Sequence, residues 1–280
     1  MLVCFNLQEG SYLSCNYINY EREMILDYFE QLMDEIDSFD FSGWEFSYIT
    51  ETGRMQEVPV KWNYFSKIRP YLYNAKRLLD VGTGGGEKLS RFAPLPKETY
   101  ATEGYKPNVE IAKKNLEPLG IQVIEVDGDD GPPYNSNLPF DDGFFDLIID
   151  RHEAYCLEEI YRILADDAHF ITQQVGSLTI ANLIQLLDNK GLEISNWNLK
   201  YAENEFLKNN FKIVSSLEDI SFIRFYDVGA LGIYVKAFPW VFPEFTAKKY
   251  EKELMYIHER ILNEGYIDIV YHLFFIDAKK

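Results

Sequence analysis

The sequence predicts an α/β protein, a doubly wound and mostly parallel sheet with helices on both faces. Three observations carry this. From about residue 76 short apolar segments alternate with amphipathic ones; the apolar run Leu78-Leu79-Asp80-Val81 enters a turn built from Gly82-Thr83-Gly84-Gly85-Gly86; and Glu103 closes the next apolar segment, 23 residues after Asp80. Strands that alternate with helices build crossover units, and crossover units make parallel sheets.

Strands are predicted at 77–81, 98–103, 122–126, 145–150 and 169–174, with helices at roughly 87–92, 107–117, 155–164 and 178–189. Ahead of them, Ile25, Leu26, Phe29, Leu32, Met33 and Ile36 recur at three- and four-residue intervals, the pattern of an amphipathic helix over 19–36. Residues 59–73 read as a second helix leading into the core. After a helix at 199–208 come strands at 211–216 and 267–277, separated by roughly fifty residues, which is too long for a bare loop inside a compact domain. The stretch is therefore expected to be an inserted lid with helices of its own. The expected organisation is an N-terminal helical cap segment at 1–74, a core at 75–218, the lid at 219–265 and a final strand at 266–280. The sheet is expected to have seven strands, the last antiparallel.

Composition narrows the function. The chain has 280 residues, is 47% hydrophobic and carries a formal net charge of −18. Such a surface repels phosphodiester backbones, and basic pairs such as Lys248-Lys249 and Lys279-Lys280 are short. A small-molecule partner is expected and nucleic acid is not. Cys4, Cys15 and Cys156 show no CxxC pairing and no neighbouring His read as a metal-ligand spacing, so no metal centre and no disulfide framework are expected. No apolar run approaches the ~20 residues of a membrane span, and Met1-Leu2-Val3-Cys4-Phe5 is too short for a signal peptide. A cytoplasmic protein is expected; its oligomeric state is not written in the sequence.

The glycine turn identifies a nucleoside site. Glycine serves where backbone turns at positive φ and a ligand approaches closely, and an acid at the end of the next strand can accept hydrogen bonds from both ribose hydroxyls. Glu87 falls at the first turn of the following helix, where a dinucleotide would place its pyrophosphate. A carboxylate there repels phosphate and favours a nucleoside with cationic groups, and S-adenosyl-L-methionine, with a sulfonium and an ammonium, is such a molecule. A Gly-rich αβ connection with no ligand would share the glycine run alone.

Four segments carry a resemblance: Leu78 to Glu87, Thr102 to Leu116 (TEGYKPNVEIAKKNL), Asn137 to Asp150 (NLPFDDGFFDLIID) and Glu158 to Phe170 (EEIYRILADDAHF). Together they resemble the class I S-adenosylmethionine-dependent methyltransferases, in particular their type 11 group, over about residues 75–175. The resemblance implies a Rossmann-like methyltransferase fold and methyl transfer to an acceptor. By the same resemblance, Asp80 holds the methionine end of the cofactor, Gly82, Thr83 and Gly84 carry the backbone past it, and Glu103 binds the ribose diol with Gly104 and Tyr105 along the adenine. An acid after the third strand meets the adenine amino group in the family. Here Asp127, Asp129 and Asp130 are all candidates, with Asp129 and Asp130 favoured. Arg151 is expected to offer its backbone carbonyl to the cofactor ammonium. The family's Pro-Gly turn before the fifth strand is replaced by Asp166-Asp167.

Displacement on a sulfonium methyl asks mainly for alignment, and ordered intramolecular reactions gain on the order of 7–11 kcal/mol in this way. A base is needed only if the acceptor must lose a proton. His152, just past the fourth predicted strand, stands where open α/β sheets bind ligands and is the expected base, with Glu153 orienting or replacing it; a histidine at such a position also serves as a simple structural contact. His169, His258 and His272 are expected to be structural. Aromatic residues cluster at Phe39, Phe41, Trp44, Phe46 and Tyr48 and again at Phe225, Tyr226, Tyr234, Phe238, Trp240, Phe242 and Phe245, as core or as walls of an acceptor pocket. Three other readings share part of this pattern: an NAD(P)-dependent oxidoreductase, a non-catalytic S-adenosylmethionine-binding protein and an RNA-base methyltransferase. The first leaves Glu87 and the LPF segment unexplained, the second is indistinguishable by sequence, and the acidic surface opposes the third.

Overall fold

The computed structural model describes residues 11–40, 44, 46–126, 135–187 and 195–280, with the backbone alone for 11–22. Cys4, Phe41, Asp127, Asp129 and Asp130 lie outside the described residues. The elements in chain order are α1 (Ser11–Ser38), α2 (Ser47–Thr50), β1 (Met55–Glu57), α3 (Tyr64–Leu72), β2 (Arg77–Val81), α4 (Glu87–Ser90), β3 (Glu98–Glu103), α5 (Lys106–Leu116), β4 (Gln122–Glu125), β5 (Phe145–Arg151), α6 (Leu157–Ile163), β6 (Leu164–Val175), α7 (Ala181–Leu187), α8 (Leu199–Lys208), β7 (Lys212–Phe225), α9 (Val228–Val235), α10 (Glu251–Glu264) and β8 (Ile267–Lys279).

The chain divides into two compact units, one drawn from 58–181, 193–222 and 270–280 and the other from 1–57, 182–192 and 223–269. In the first, the strands follow the order β7-β8-β6-β5-β2-β3-β4. β2 pairs in parallel with β3 and β5, β3 with β4, and β5 with β6, whereas β8 runs antiparallel to β6. The expected mostly parallel sheet with an antiparallel final strand is thus observed. Successive strand residues point to opposite faces, and adjacent leucines show the consequence. Leu78 packs with Ile68, Leu89, Ala112 and Leu116 of α3, α4 and α5, while Leu79 packs with Ile160, Ile163, Ala202 and Phe206 of α6 and α8. Both faces are covered, which is what winds the fold twice.

Two expectations need correction. Seven strands become eight, because Met55, Gln56 and Glu57 pair antiparallel with Phe225, Arg224 and Ile223; three residues have no readable period, and only a partner strand makes them a strand. The strand expected at 211–216 continues to Phe225, well into the stretch read as lid. Its middle alternates half-buried and exposed residues without a strongly apolar side, so periodicity fades before pairing does. Asp167, in place of the family's Pro-Gly turn, adopts φ +60° inside β6, next to the register shift between Phe145 and Leu147.

The second unit is held by an apolar helix and an ionic centre. Every residue of α9 is buried, as expected of a helix that is apolar all round. It lies so close to α1 that a Cβ on Gly232 would come within 2.3 Å of Ile36. Asp227 caps α9 by accepting from the Ala230 N–H at 2.8 Å. The guanidinium of Arg54 donates to both oxygens of Asp227 and both of Glu35, at 2.6 to 2.8 Å. Most of the late aromatic residues are core: Phe225, Tyr234, Phe238 and Phe242 are buried, whereas Trp44 and Trp240 stay exposed with ring centroids 6.2 Å apart.

Candidate functional site

At the carboxyl end of β2 the chain must turn at once, and the glycines allow it. Gly82 and Gly84 both adopt φ +62° and Gly86 φ +85°. The turn is pinned from two sides: the Thr83 N–H donates to Thr102 O at 2.9 Å, and Asn115 Nδ2 of α5 donates to Gly85 O at 2.9 Å. α4 is a single turn, shorter than expected, so Glu87 acts through its own charge, with its carboxylate folded back toward Gly85 and Asn115.

Glu103 closes β3 and is buried. Its Oε2 accepts from the Gly84 N–H at 2.6 Å and its Oε1 from the Tyr105 N–H at 2.8 Å. The Gly104 N–H also favours the charged carboxylate; a carboxylate offers about four lone-pair sites, so acceptor capacity is left over. Two acceptor oxygens on one carboxyl match a vicinal diol. Tyr105, exposed beside it, is the N-cap of α5.

β5 brings in Asp150, Arg151, His152 and Glu153. Asp150 is fully buried, and its Oδ1 accepts from Thr172 Oγ1 at 2.7 Å and Gln174 Nε2 at 2.5 Å. Its Oδ2 has no partner among the described residues, and its peptide oxygen accepts from the Tyr64 hydroxyl at 3.2 Å. His152 adopts φ +67°, a left-handed conformation that costs a non-glycine residue on the order of 1–3 kcal/mol and tends to occur at functional sites. Its N–H donates to Gln173 O at 2.8 Å, which ties the strained residue to β6. Glu153 lies across Gly82: a Cβ there would meet Glu153 Cγ at 2.2 Å.

Four carboxyl groups thus gather at the ends of β2, β3 and β5, and each is pushed to a higher pKa. Burial is the leading cause throughout. Mutual repulsion adds to it: Glu103 acts on Asp80 and Glu153, and Asp80 and Glu153 act on Asp150. Asp80 is raised to about 7, even though the Thr83 dipole and Arg151 favour its charged form. Thr83 Oγ1 itself is buried and makes no hydrogen bond of good geometry among the described residues. An acid cluster under-compensated for its burial is suited to a cation, because an opposite charge relieves both the burial cost and the repulsion. A ligand with a diol and cationic groups fits these residues; a pyrophosphate does not.

Of the residues expected at the site, Asp80, Gly82, Thr83, Gly84, Glu103, Gly104, Arg151, His152 and Glu153 are described and lie on the carboxyl-end turns of β2, β3 and β5. Asp150, Trp62, Tyr64 and Gln173 were not expected there. Asp150 was legible in part, as an acid closing an apolar strand just as Asp80 does. Trp62 and Tyr64 lie between β1 and β2, and nothing local marks them. His169 bonds Asp277 at 2.6 Å and His272 lies 3.0 Å from Glu218. Among the described residues no group of acids, histidines or cysteines could hold a metal ion, and no helix is long and apolar enough to cross a membrane.

The contact at Gly82 makes a test. Gly82→Ala is expected to cost roughly 2–3 kcal/mol in urea denaturation, since strain adds to a clash with Glu153. Gly84→Ala, with the same φ and nothing within 4 Å, should cost about 1 kcal/mol.

Residues 79–172 match the family model described as "Methyltransferase domain". The chain is 28% identical over 102 residues to the uncharacterized methyltransferase YcgJ of Bacillus subtilis (strain 168), covering 34% of this chain and 39% of that protein. It is 31% identical over 67 residues to the protein-L-isoaspartate O-methyltransferase of Alcanivorax borkumensis, covering 24% of this chain and 30% of that one. The chain therefore spans well under half the length of these relatives. Two solved structures share the fold: a protein of Bacillus halodurans C-125, with TM-score 0.54, 15% identity and 78% of this chain against 98% of that one, and YcgJ, with TM-score 0.51, 17% identity and 77% against 97%.

Proposed function

From the premise that residues 79–172 form a class I S-adenosylmethionine-dependent methyltransferase domain of the type 11 group, we propose that the chain transfers a methyl group from S-adenosyl-L-methionine to a small-molecule acceptor by in-line displacement. The observation that carries this reading is the Glu103 carboxylate, held by the Gly84 and Tyr105 N–H groups with acceptor capacity to spare inside a cluster of buried acids. When bound, the cofactor supplies a methyl group already activated on a sulfonium.

Asp80 and Arg151 face the methionine end, with Thr83 Oγ1 available as a further partner. Glu103 takes the ribose diol, Gly104 and Tyr105 lie along the adenine, and Asp129 or Asp130 meets its amino group. Glu153, whose carboxyl is raised by burial and by Glu103, takes the proton of an acceptor that must lose one, and His152 stands beside it at the acceptor side. The acidic chain favours a neutral or cationic small molecule over RNA.

Titrating the protein with S-adenosylhomocysteine and with NAD tests the cofactor, and methyl release over a panel of small acceptors tests the activity. Binding of NAD alone would defeat the proposal. The Asp80 pKa adds a signature. Its carboxyl, raised to about 7, must lose its proton to meet the ligand's ammonium, so S-adenosylhomocysteine affinity is expected to rise about tenfold between about pH 6 and pH 8, with uptake of buffer signal for up to one released proton. In the free protein the sign is opposite: a raised acid stabilises the fold below its unfolded pKa near 4, and that contribution is lost as pH rises to about 7. Calorimetry in two buffers of different ionisation enthalpy reads the proton directly; a flat affinity across that range would remove Asp80 from the site.

A further inference from the structure

Trp62, Gln173 and His152 form a hydrogen-bond chain with only one direction. An indole N–H can only donate, and Trp62 Nε1 lies 2.8 Å from Gln173 Oε1. This contact fixes the amide, so that its nitrogen faces His152, with Gln173 Nε2 and His152 Nε2 3.1 Å apart. An amide nitrogen has hydrogens and no lone pair to offer, so His152 Nε2 must accept. A neutral imidazole that accepts at Nε2 carries its proton at Nδ1, and Nδ1 has no hydrogen-bond partner among the described residues. Trp62 and Gln173 are both buried, which shields the chain from exchange with water. The backbone agrees with this reading, because the strained φ of His152 is held by its own N–H on Gln173 O.

We propose that Trp62 and Gln173 are positioning residues that fix His152 as its Nδ1–H tautomer, so that it presents a hydrogen-bond donor to the methyl acceptor and selects molecules carrying a neutral oxygen beside the nucleophile. The proposal rests on the methyltransferase reading above. It reassigns His152, expected from the sequence as a base: the lone pair a base would need is occupied by Gln173, and proton removal falls to Glu153. Burial, together with the charges of Arg151 and Lys88, also disfavours the imidazolium, so the ring remains a neutral donor at neutral pH. A neutral oxygen is the matching chemistry because the surrounding carboxyl groups repel an anionic one.

The test is NMR of the full chain labelled with ¹⁵N-histidine, with His152 assigned by comparison with His152→Asn. The wild-type ring is expected to show a protonated Nδ1 and an unprotonated Nε2. In Gln173→Glu a carboxylate oxygen replaces the amide donor, and the proton is expected at Nε2. Trp62→Phe, which frees the amide to rotate, should give a mixture of tautomers. Phenol, a neutral oxygen probe added to the S-adenosylhomocysteine complex, should move the wild-type Nδ1–H resonance and leave the Gln173→Glu ring unmoved at Nδ1. A wild-type ring protonated at Nε2, a spectrum unchanged in both variants, or no response to phenol would overturn the proposal; if one variant does not fold, the wild-type tautomer and the other variant still decide. S-adenosylhomocysteine titration of the same wild-type sample separates the two levels. No binding with an Nδ1–H ring defeats the methyltransferase reading, whereas binding with an Nε2–H ring defeats the proposal alone.

Discussion

Glu103→Ala is expected to weaken S-adenosylhomocysteine binding on the order of 10²–10⁴-fold, because two hydrogen bonds to a charged acceptor, each worth about 1.5–3 kcal/mol, vanish together. The side chain has a second task. By accepting from the Gly84 and Tyr105 N–H groups, it ties the glycine turn after β2 to the start of α5, so its loss also loosens the surface the ligand would meet. Stability should fall much less than affinity, since the carboxylate's burial is itself unfavourable, as its raised pKa indicates. Glu103→Gln keeps the shape and one acceptor oxygen but turns an NH₂ group toward one of the two backbone N–H donors, and its affinity is expected between wild type and alanine. Calorimetric titration measures all three; an alanine variant binding within about threefold of wild type would remove the diol from Glu103.

The largest stability effect is expected in the other unit. Arg54→Ala leaves the carboxylates of Glu35 and Asp227 without their shared cation, and breaking a largely buried ion network costs roughly 2–4 kcal/mol once its partial exposure is allowed for. The side chains of Arg54, Glu35 and Asp227 are 22%, 21% and 11% exposed, so screening by water reduces the effect without removing it. A drop in melting temperature on the order of 5–10 °C follows. Arg54→Lys should recover about half of the loss or less, because one ammonium cannot reproduce four bonds in fork geometry. The pH dependence has a defined sign. The Arg54 hydrogen bond holds Glu35 below its ordinary pKa, so its contribution is present above the usual glutamate range near ~4.3 and is lost as pH falls through the folded value. Thermal melts of wild type and Arg54→Ala should therefore converge toward acid pH; a constant difference would show that the network acts through packing alone.

The parts of the site that were legible in the sequence are those where local sterics and local order coincide. Gly82 and Gly84 must be glycine because the chain turns at positive φ directly after a buried strand, and Glu103 is found by counting to the end of the next strand. Helix α8 and strand β3 fall at 199–208 and 98–103 as periodicity predicts. β1 and the far half of β7 were not legible, since each is a strand only by virtue of a partner distant in sequence. The role of His152 was half legible. Its place beyond a central strand marks it for the site, but its tautomer depends on Trp62 and Gln173, 90 residues before it and 21 after.

Sequence alone determined the α/β class, the mostly parallel winding, the glycine turn and the acid that faces it, because hydrophobic period and backbone sterics are written residue by residue. The tertiary structure alone decided which acids share one cluster, that burial raises their pKa values, which nitrogen of His152 holds the proton, and that Glu35, Arg54 and Asp227 form one ionic centre. These are properties of distance and burial between side chains remote along the chain. Electrostatic energy in a protein interior depends on such distances and on the exclusion of water, and neither is specified until the chain has folded.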